Sequence, residues 1–349
     1  MGSDSYVIRY IHLIAEYLIK ILYSSVTYRV LKKVVDWFRK CFSTSCFIDI
    51  MKREGKLDKI MAKSKVYKFL SEMLHQPTKI MRVKYDKAEH VFQNSKLFKL
   101  IMLAAENTHI LASLSLFVIL IIPHRFWYNI FATIMAFGLL LLLFIKTVIN
   151  KNVFFNFRCI GFYLGIFVLS IILAQVFSIF PSLSIRFLIF YLTCLIFVFV
   201  LVNSINNSEQ LTTVVETLLI GVAVVGLYAV YQAIKGVPIN ASQTDISLNA
   251  GMPGRVYSTM ENPNNLAEIL MMIMPFYLAV FLGSKSIIKR LIIAGMAFLP
   301  LASLGLTYSR SSWIGFTVAM FMFVVLTNWR LVPLFFLAGL AAIPILPQS

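Results

Sequence analysis

The stretch Gly254–Phe276, GRVYSTMENPNNLAEILMMIMPF, joins an arginine and an Asn-Pro-Asn-Asn turn to a long apolar run. Asparagine is a favoured helix N-cap and proline suits the first helical position. Asn262 and Pro263 therefore predict a helix start, with Asn264 and Asn265 in the first turn. We expect the unpaired backbone N–H groups and the positive dipole end of this helix to face the membrane surface, where they would attract anions.

The composition of the whole chain is that of a membrane protein. Of its 349 residues, 59% are hydrophobic and 13% are charged, whereas soluble domains carry about 25% charged residues. Residues 1–99 hold 20 of the 32 Lys and Arg residues and 9 of the 15 acids. We therefore divide the chain into a basic cytoplasmic or membrane-surface segment, residues 1–99, and a transmembrane region, residues 100–349.

Hydrophobic runs after residue 100 predict an all-α fold, a polytopic transmembrane helical bundle. About 20 apolar residues are needed to cross a bilayer, and nine segments approach that length. They are residues 105–122, 127–146, 159–179, 186–203, 213–234, 264–283, 288–307, 312–328 and 330–347. The first of these has polar residues near its start, and the last contains three prolines.

The basic segment has two parts. In residues 7–22, apolar side chains recur every three or four positions and basic residues border them. This pattern predicts an amphipathic helix that either packs within the protein or, as the basic border favours, lies on an anionic leaflet. Residues 40–99 are rich in lysine and predict a small cytoplasmic helical region. Because no nucleic-acid-binding motif is recognisable, we expect a lipid bilayer rather than a nucleic acid as the partner of this segment.

The positions of positive charge predict the orientation of the spans. With a cytoplasmic N-terminus and nine alternating spans, the cytoplasmic loops after residue 100 hold seven basic residues and the outer loops hold five. This order of spans places Arg255, Arg310 and the helix start at Pro263 together at the outer face. Loss of the first span would invert every loop that follows it.

Two arginines border apolar spans near this helix start. Arg255 precedes Asn262 by seven residues, and TYSRSSWIG places Arg310 among serines between two spans. An arginine beside an apolar span is costly unless it is paired or functional, and one guanidinium can bind two phosphate oxygens. Two arginines and a helix N-terminus suit a pyrophosphate, although each feature alone is also typical of a topology marker, a snorkelling side chain or an ordinary cap.

At these residues the sequence resembles the O-antigen ligase and O-antigen polymerase family of bacterial envelope membrane proteins. The resembling pattern is an arginine, then ENPNNLAEILMMIMPF, then TYSRSSWIGF, within residues 160–349. The resemblance implies a multi-pass glycosyltransferase of the plasma (inner) membrane that acts in cell-envelope polysaccharide assembly. Such proteins transfer a glycan from a polyprenyl-pyrophosphate carrier, such as undecaprenyl pyrophosphate, at the outer face to an acceptor glycan, lipid or protein.

The family resemblance also implies roles for particular residues, and it implies no metal, cofactor or nucleotide sugar. Arg255 and Arg310 would bind the pyrophosphate and stabilise the negative charge that develops as it leaves. Support for the site would come from Glu261, Asn262, Asn264 and Asn265. Glu261 is more typical of a salt bridge or of a helix-start charge favoured by the dipole than of a group that binds the acceptor. The four cysteines form no CxxC pair and predict free thiols rather than a zinc site.

One feature of the family is missing. Its members usually carry, after these motifs, an outer-loop histidine that activates the acceptor, but all five histidines of this chain precede the motifs: His12, His75, His90, His109 and His124. No catalytic residue is therefore identified, and His124 is more typical of a capping or interface residue than of a base. We expect the ligase-like domain, residues 100–349, to be C-terminally incomplete and the chain to be a partial or truncated member of the family, which leaves enzymatic activity open.

Two other functions are compatible with the sequence. A membrane transporter is one, because Pro275 and Pro300 lie inside predicted spans and broken helices are typical of transporters, although no internal repeat is visible. A catalytically incomplete structural homologue is the other. The sugar, the acceptor, the oligomeric state and the choice between ligase and polymerase are not determined by the sequence.

Overall fold

The computed structural model describes residues 28–29, 32–33, 36, 63, 65–150, 153, 155, 162–239, 253–328, 332, 335–337 and 339. The elements in this part of the chain are helices. They are α1 (Lys65–Gln93), α2 (Lys96–Glu106), α3 (Thr108–Ile121), α4 (Asn129–Ile149), α5 (Phe162–Val176), α6 (Pro181–Ser204), α7 (Ser208–Lys235), α8 (Pro263–Gly283), α9 (Ile287–Leu306) and α10 (Arg310–Asn328), with 3₁₀ turns at His124–Phe126 and Ser258–Met260. The predicted amphipathic helix at residues 7–22 lies outside the described residues.

Six of the described helices, α4 and α6 to α10, are long and apolar enough to cross a membrane. A seventh span results if α2 and α3, which meet at an angle of 73°, are counted as one broken span. The protein is therefore a multi-pass helical membrane protein with an all-α fold. Each of the six helices corresponds to one predicted span.

Of the other predicted spans, one differs from the structure and one is described only in part. At residues 105–122, α3 has only 14 residues, or about 21 Å at 1.5 Å per residue, and it continues into α2 through the bend. The predicted span at residues 159–179 is described only in part, as the 15 residues of α5. Apolar composition alone does not show where the backbone turns, so it overestimates the length of α3. The ninth predicted span, residues 330–347, lies mostly outside the described residues.

The chain divides into two compact units. The larger one runs over residues 55–319 and contains the residues of the candidate site, while the smaller one includes residues 320–346. Within the smaller unit, the rings of Phe321, Phe335 and Phe336 pack against one another, with centroids 5.8 to 6.1 Å apart.

Side-chain contacts show the relative directions of α7, α8 and α9. Near the start of α9, Lys289 pairs with Glu216 in the first half of α7 (2.5 Å), and near the end of α9, Ser303 donates to the carbonyl of Gly226 (2.8 Å). These two helices are therefore parallel. Tyr277, late in α8, donates to the carbonyl of Leu219, early in α7 (2.5 Å), so α8 runs in the opposite direction.

The larger unit therefore has two ends. The Arg255 end is where α3, α7 and α9 finish and where α4, α8 and α10 begin. The Lys289 end is where α4, α6 and α8 finish and where α7 and α9 begin.

Small residues allow close approach between these helices, as is usual in membranes. A Cβ added at Gly226 would lie 2.8 Å from the backbone nitrogen of Pro300 in α9.

Candidate functional site

A polar loop enters the bundle at the Arg255 end. Val256, Ser258 and Met260 in this loop retain only 1%, 2% and 3% of their exposure. The Ser258 hydroxyl donates to the carbonyl of Val225 (2.7 Å), ten residues before the end of α7, or about 15 Å along the helix. The Thr259 hydroxyl donates to the carbonyl of Leu120 in α3 (2.7 Å). These bonds hold the loop between α3 and α7, deeper in the bundle than the last residue of α7.

Gln232 of α7 provides hydrogen bonds that the irregular backbone of the loop cannot make with itself. Its Oε1 accepts from the N–H groups of Tyr257 (3.2 Å) and Ser258 (2.7 Å), and its Nε2 donates to the Ser258 carbonyl (3.5 Å). Buried backbone groups require partners of this kind. Gln232 is not among the site residues predicted from the sequence; an amide within an otherwise apolar helical run is the signal that points to it.

Arg255 connects two motifs that are distant in sequence. Its Nε donates to the carbonyl of Thr307 (2.7 Å), and its Nη2 donates to the side-chain oxygen of Asn264 in the first turn of α8 (2.5 Å). Thr307 lies in the turn between α9 and α10, three residues before Arg310. The Arg255 guanidinium thus links the start of α8 to the turn that carries Arg310.

The position of Arg255 is fixed by the glycine before it. A Cβ at Gly254 would lie 1.8 Å from the carbonyl oxygen of Val237, so no larger side chain fits without a backbone shift. Arg255 is half-buried, and this burial lowers the pKa of its guanidinium. Because the ordinary pKa of arginine is far above neutral, the group remains charged at physiological pH.

The start of α8 confirms one prediction and overturns another. The helix begins at Pro263 with Asn262 as its N-cap. The Asn262 Oδ1 accepts from the N–H groups of Asn264 (2.8 Å) and Asn265 (3.4 Å), and proline has no N–H. The expectation of unpaired N–H groups at this helix start is therefore wrong, because the cap that marks the start also occupies them. The helix dipole and the exposed side chains of Asn264 and Asn265 remain at the surface.

Arg310 is exposed at the first residue of α10, on a closely held turn. The Trp313 indole N–H donates to the carbonyl of Leu304 at the end of α9 (2.9 Å). The hydroxyls of Ser309 and Ser312, both buried, are 3.0 Å apart. This turn therefore presents Arg310 on a backbone that is fixed on both sides.

Three of the described non-glycine residues adopt the left-handed backbone conformation, and all three belong to this loop and turn. They are Ser258 (φ 50°), Glu261 (φ 57°) and Tyr308 (φ 52°). Such conformations cost about 1–3 kcal/mol each and are found where the surrounding structure imposes an unusual path. Glu261 is exposed and lies directly before the Asn262 cap. The predicted site residues thus share one end of the bundle.

The described histidines are distributed over both ends. His75 and His90 belong to α1, and His109 is buried just after the bend between α2 and α3. His124 is exposed in the 3₁₀ turn that follows α3, which places it at the Arg255 end. His12 lies outside the described residues.

Aromatic and basic side chains surround the Arg255 end. The rings of Tyr228 and Tyr231 stack (6.2 Å), and the Lys235 ammonium lies 6.0 Å from the Tyr231 centroid. Trp127 and Tyr128 stand at the start of α4 and contact Phe131. Tryptophan and tyrosine are enriched where a bilayer meets water, so this arrangement is that of a membrane–water interface.

No protein-family model, no curated protein and no solved structure matches the chain. The residues themselves identify a multi-pass helical membrane protein with a polar loop that enters the bundle at one end.

Proposed function

We propose that the protein is an integral membrane glycosyltransferase of the O-antigen ligase or polymerase type. It would take a glycan from a polyprenyl-pyrophosphate carrier at the outer face of the plasma membrane and transfer it to an acceptor glycan, lipid or protein. The observation that supports this proposal is the pair of hydrogen bonds from Arg255 to Asn264 and Thr307. They join the two sequence motifs in which the chain resembles that family.

The proposed chemistry assigns different roles to the two arginines. Exposed Arg310 binds the pyrophosphate, while half-buried Arg255 adds positive charge and aligns the start of α8 with the α9–α10 turn. As the acceptor oxygen attacks the anomeric carbon, its hydroxyl proton passes to water, the bond from that carbon to the pyrophosphate oxygen breaks and negative charge develops on the leaving pyrophosphate. Positive groups that are already fixed in place stabilise this charge without reorganising. The supporting roles fall to Glu261, Asn262, Asn264 and Asn265, among which Asn262 caps α8 and Asn264 orients Arg255.

Glycan transfer from a polyprenyl-pyrophosphate donor in membrane vesicles tests the proposal. We expect Arg310→Ala and Arg255→Ala to abolish transfer while the protein still inserts in normal amounts. Arg186→Ala is the matched control, because Arg186 is an exposed arginine near the start of α6, at the Arg255 end but outside the loop and turn. Normal transfer by both site variants would exclude the proposed roles. An inactive parent protein that inserts normally would favour a catalytically incomplete homologue.

A transporter is supported by a different observation. The break between α2 and α3 has an angle of 73°, and the buried Nδ1 of His109 beside it has no hydrogen-bond partner among the residues that the structure describes. Broken helices and buried ionisable residues are typical of transport pathways. Ion-coupled uptake of a free sugar into reconstituted vesicles, lost in His109→Ala and retained in Arg310→Ala, would favour this function over glycan transfer.

A further inference from the structure

The helix α1 is attached to the point where a spanning helix ends. From α1, the Arg82 guanidinium donates to the carbonyls of Thr147 (2.5 Å), Val148 (3.3 Å) and Asn150 (3.4 Å) at the end of α4. A cation that binds the last carbonyls of a helix also interacts favourably with its dipole. Because α4 is long enough to cross the membrane, its end marks the level of the bilayer surface, and α1 is held at that level.

A stripe of α1 that does not include Arg82 is apolar, basic and exposed. Phe69, Met73 and Ile80 are 65%, 52% and 55% exposed, and Lys84 and Lys87 are exposed as well. Their spacings of four, seven, four and three residues place all five on one face of the helix. We call this set the α1 stripe.

The other faces of α1 have different surroundings. At 100° per residue, Thr78 and Arg82 lie about half a turn away from Ile80. Thr78 is buried and Arg82 contacts α4, so this is the face that packs on the protein. A third face carries Lys68, Glu72 and Lys79, which are exposed. A helix with one packed face, one charged face and one apolar face bordered by lysines is typical of the membrane interface.

Charge indicates the lipid class. The α1 sequence contains six Lys or Arg residues and three Asp or Glu residues. Lysines can lay their methylene groups along an apolar surface while the ammonium group reaches outward, and anionic lipid surfaces attract such clusters. We propose that the α1 stripe is inserted among anionic phospholipids at the Lys289 end, with Phe69, Met73 and Ile80 among the acyl chains and Lys84 and Lys87 on the phosphates.

Spin labels in the full chain test the insertion. With the native cysteines replaced by serine, single labels are placed at residues 69, 73 and 80 on the stripe and at residue 79 on the charged face. In vesicles that contain phosphatidylglycerol, we expect the stripe labels to collide with oxygen but not with a water-soluble nickel complex, and the label at residue 79 to collide with nickel. Stripe labels that collide with nickel would overturn the proposal. Labels shielded from both reagents would also overturn it, because they would mean that protein, from this chain or from a second copy, covers the stripe.

Charge reversal tests the lipid class. We expect Lys84→Glu/Lys87→Glu to remove the difference in label depth between phosphatidylglycerol-containing and pure phosphatidylcholine vesicles. Lys68→Glu/Lys79→Glu changes the net charge equally on the charged face and should leave that difference intact. Thermal unfolding in detergent confirms that both variants are folded. Equal loss in both variants, or equal depth of the parent protein in both vesicle types, would refute a role for the stripe lysines.

Discussion

At the scale of single residues, the Arg255 end is built by side chains that replace missing backbone hydrogen bonds. Gln232 accepts hydrogen bonds from two N–H groups of the loop. The hydroxyls of Ser258 and Thr259 donate to carbonyls of α7 and α3, and Asn262 caps α8. Such bonds are worth more in a buried, low-dielectric setting, since an unpaired polar group there is costly. The loop therefore depends on a few polar side chains.

The variant Gly254→Ala should destabilise the loop. Its Cβ would lie 1.8 Å from the Val237 carbonyl oxygen, and the backbone shift needed to relieve this clash should cost about 1–3 kcal/mol. Thermal unfolding of the detergent-solubilised chain measures the effect. Gly295→Ala is the control, because nothing lies within 4 Å of a Cβ at this position in α9. Equal midpoints for the two variants would contradict the close contact.

The variant Gln232→Leu should release residues 257 and 258. It removes the acceptor of two N–H groups, each of which costs about 1–3 kcal/mol when buried without a partner. We expect faster amide hydrogen exchange at Tyr257 and Ser258 and unchanged exchange at Leu219, which lies earlier in α7. Unaltered exchange at residues 257 and 258 would show that Gln232 does not hold the loop.

At the scale of helices, α7 and α9 form a parallel pair with contacts along their length. A close backbone approach at Gly226 and Pro300 lies toward one end, and the Glu216–Lys289 ion pair lies toward the other. The close approach depends on the absence of a side chain at Gly226. The ion pair depends on the complementary charges of Glu216 and Lys289, which lie in the first halves of the two helices. Together they align two helices that are separated in sequence by α8.

The ion pair should contribute a small and measurable coupling between α7 and α9. Glu216 and Lys289 are 34% and 45% exposed, so we expect a coupling free energy of about 0.5–1 kcal/mol in a double-mutant cycle of Glu216→Gln and Lys289→Gln. Chemical unfolding of the single and double variants measures it. Strictly additive effects would show that the two side chains act independently.

At the scale of the whole molecule, the basic residues of the larger unit lie at its two ends. Lys146, Lys285 and Lys289 lie toward the end on which α1 docks, whereas Arg255 and Arg310 lie at the opposite end. The loop charges alone favour a cytoplasmic Lys289 end only weakly. The basic helix α1, bound to the end of α4, adds its charge to the same side and strengthens the predicted orientation.

Cysteine labelling should reveal this orientation. With the native cysteines replaced, we expect Tyr128→Cys, at the Arg255 end, to react with a membrane-impermeant maleimide in intact cells. Lys285→Cys, at the Lys289 end, should react only after permeabilisation. Labelling in the reverse order would invert the orientation and place the candidate site in the cytoplasm. Labelling of both from one side would contradict the arrangement of the helices.

The membrane class, six helices long enough to span a bilayer and the start of α8 could be predicted from the amino-acid sequence, because these depend on composition and on bonds between neighbouring residues. The sequence also indicated Arg255 and Arg310, since charge beside an apolar span is conspicuous. It did not determine the length of α3, because the apolar run continues through the bend between α2 and α3. The N–H groups of Asn264 and Asn265 were expected to be unpaired. That expectation was wrong, because Asn262, the residue that marks the helix start, also accepts hydrogen bonds from them.

Contacts between residues that are distant in sequence became visible only in the folded protein. The bonds from Arg255 to Thr307 and from Thr259 to Leu120 cross 52 and 139 positions of sequence. Such contacts depend on how the helices pack, which no local pattern records. The periodicity of the α1 stripe is present in the sequence, but its proposed place at the membrane surface rests on the contacts between Arg82 and the end of α4.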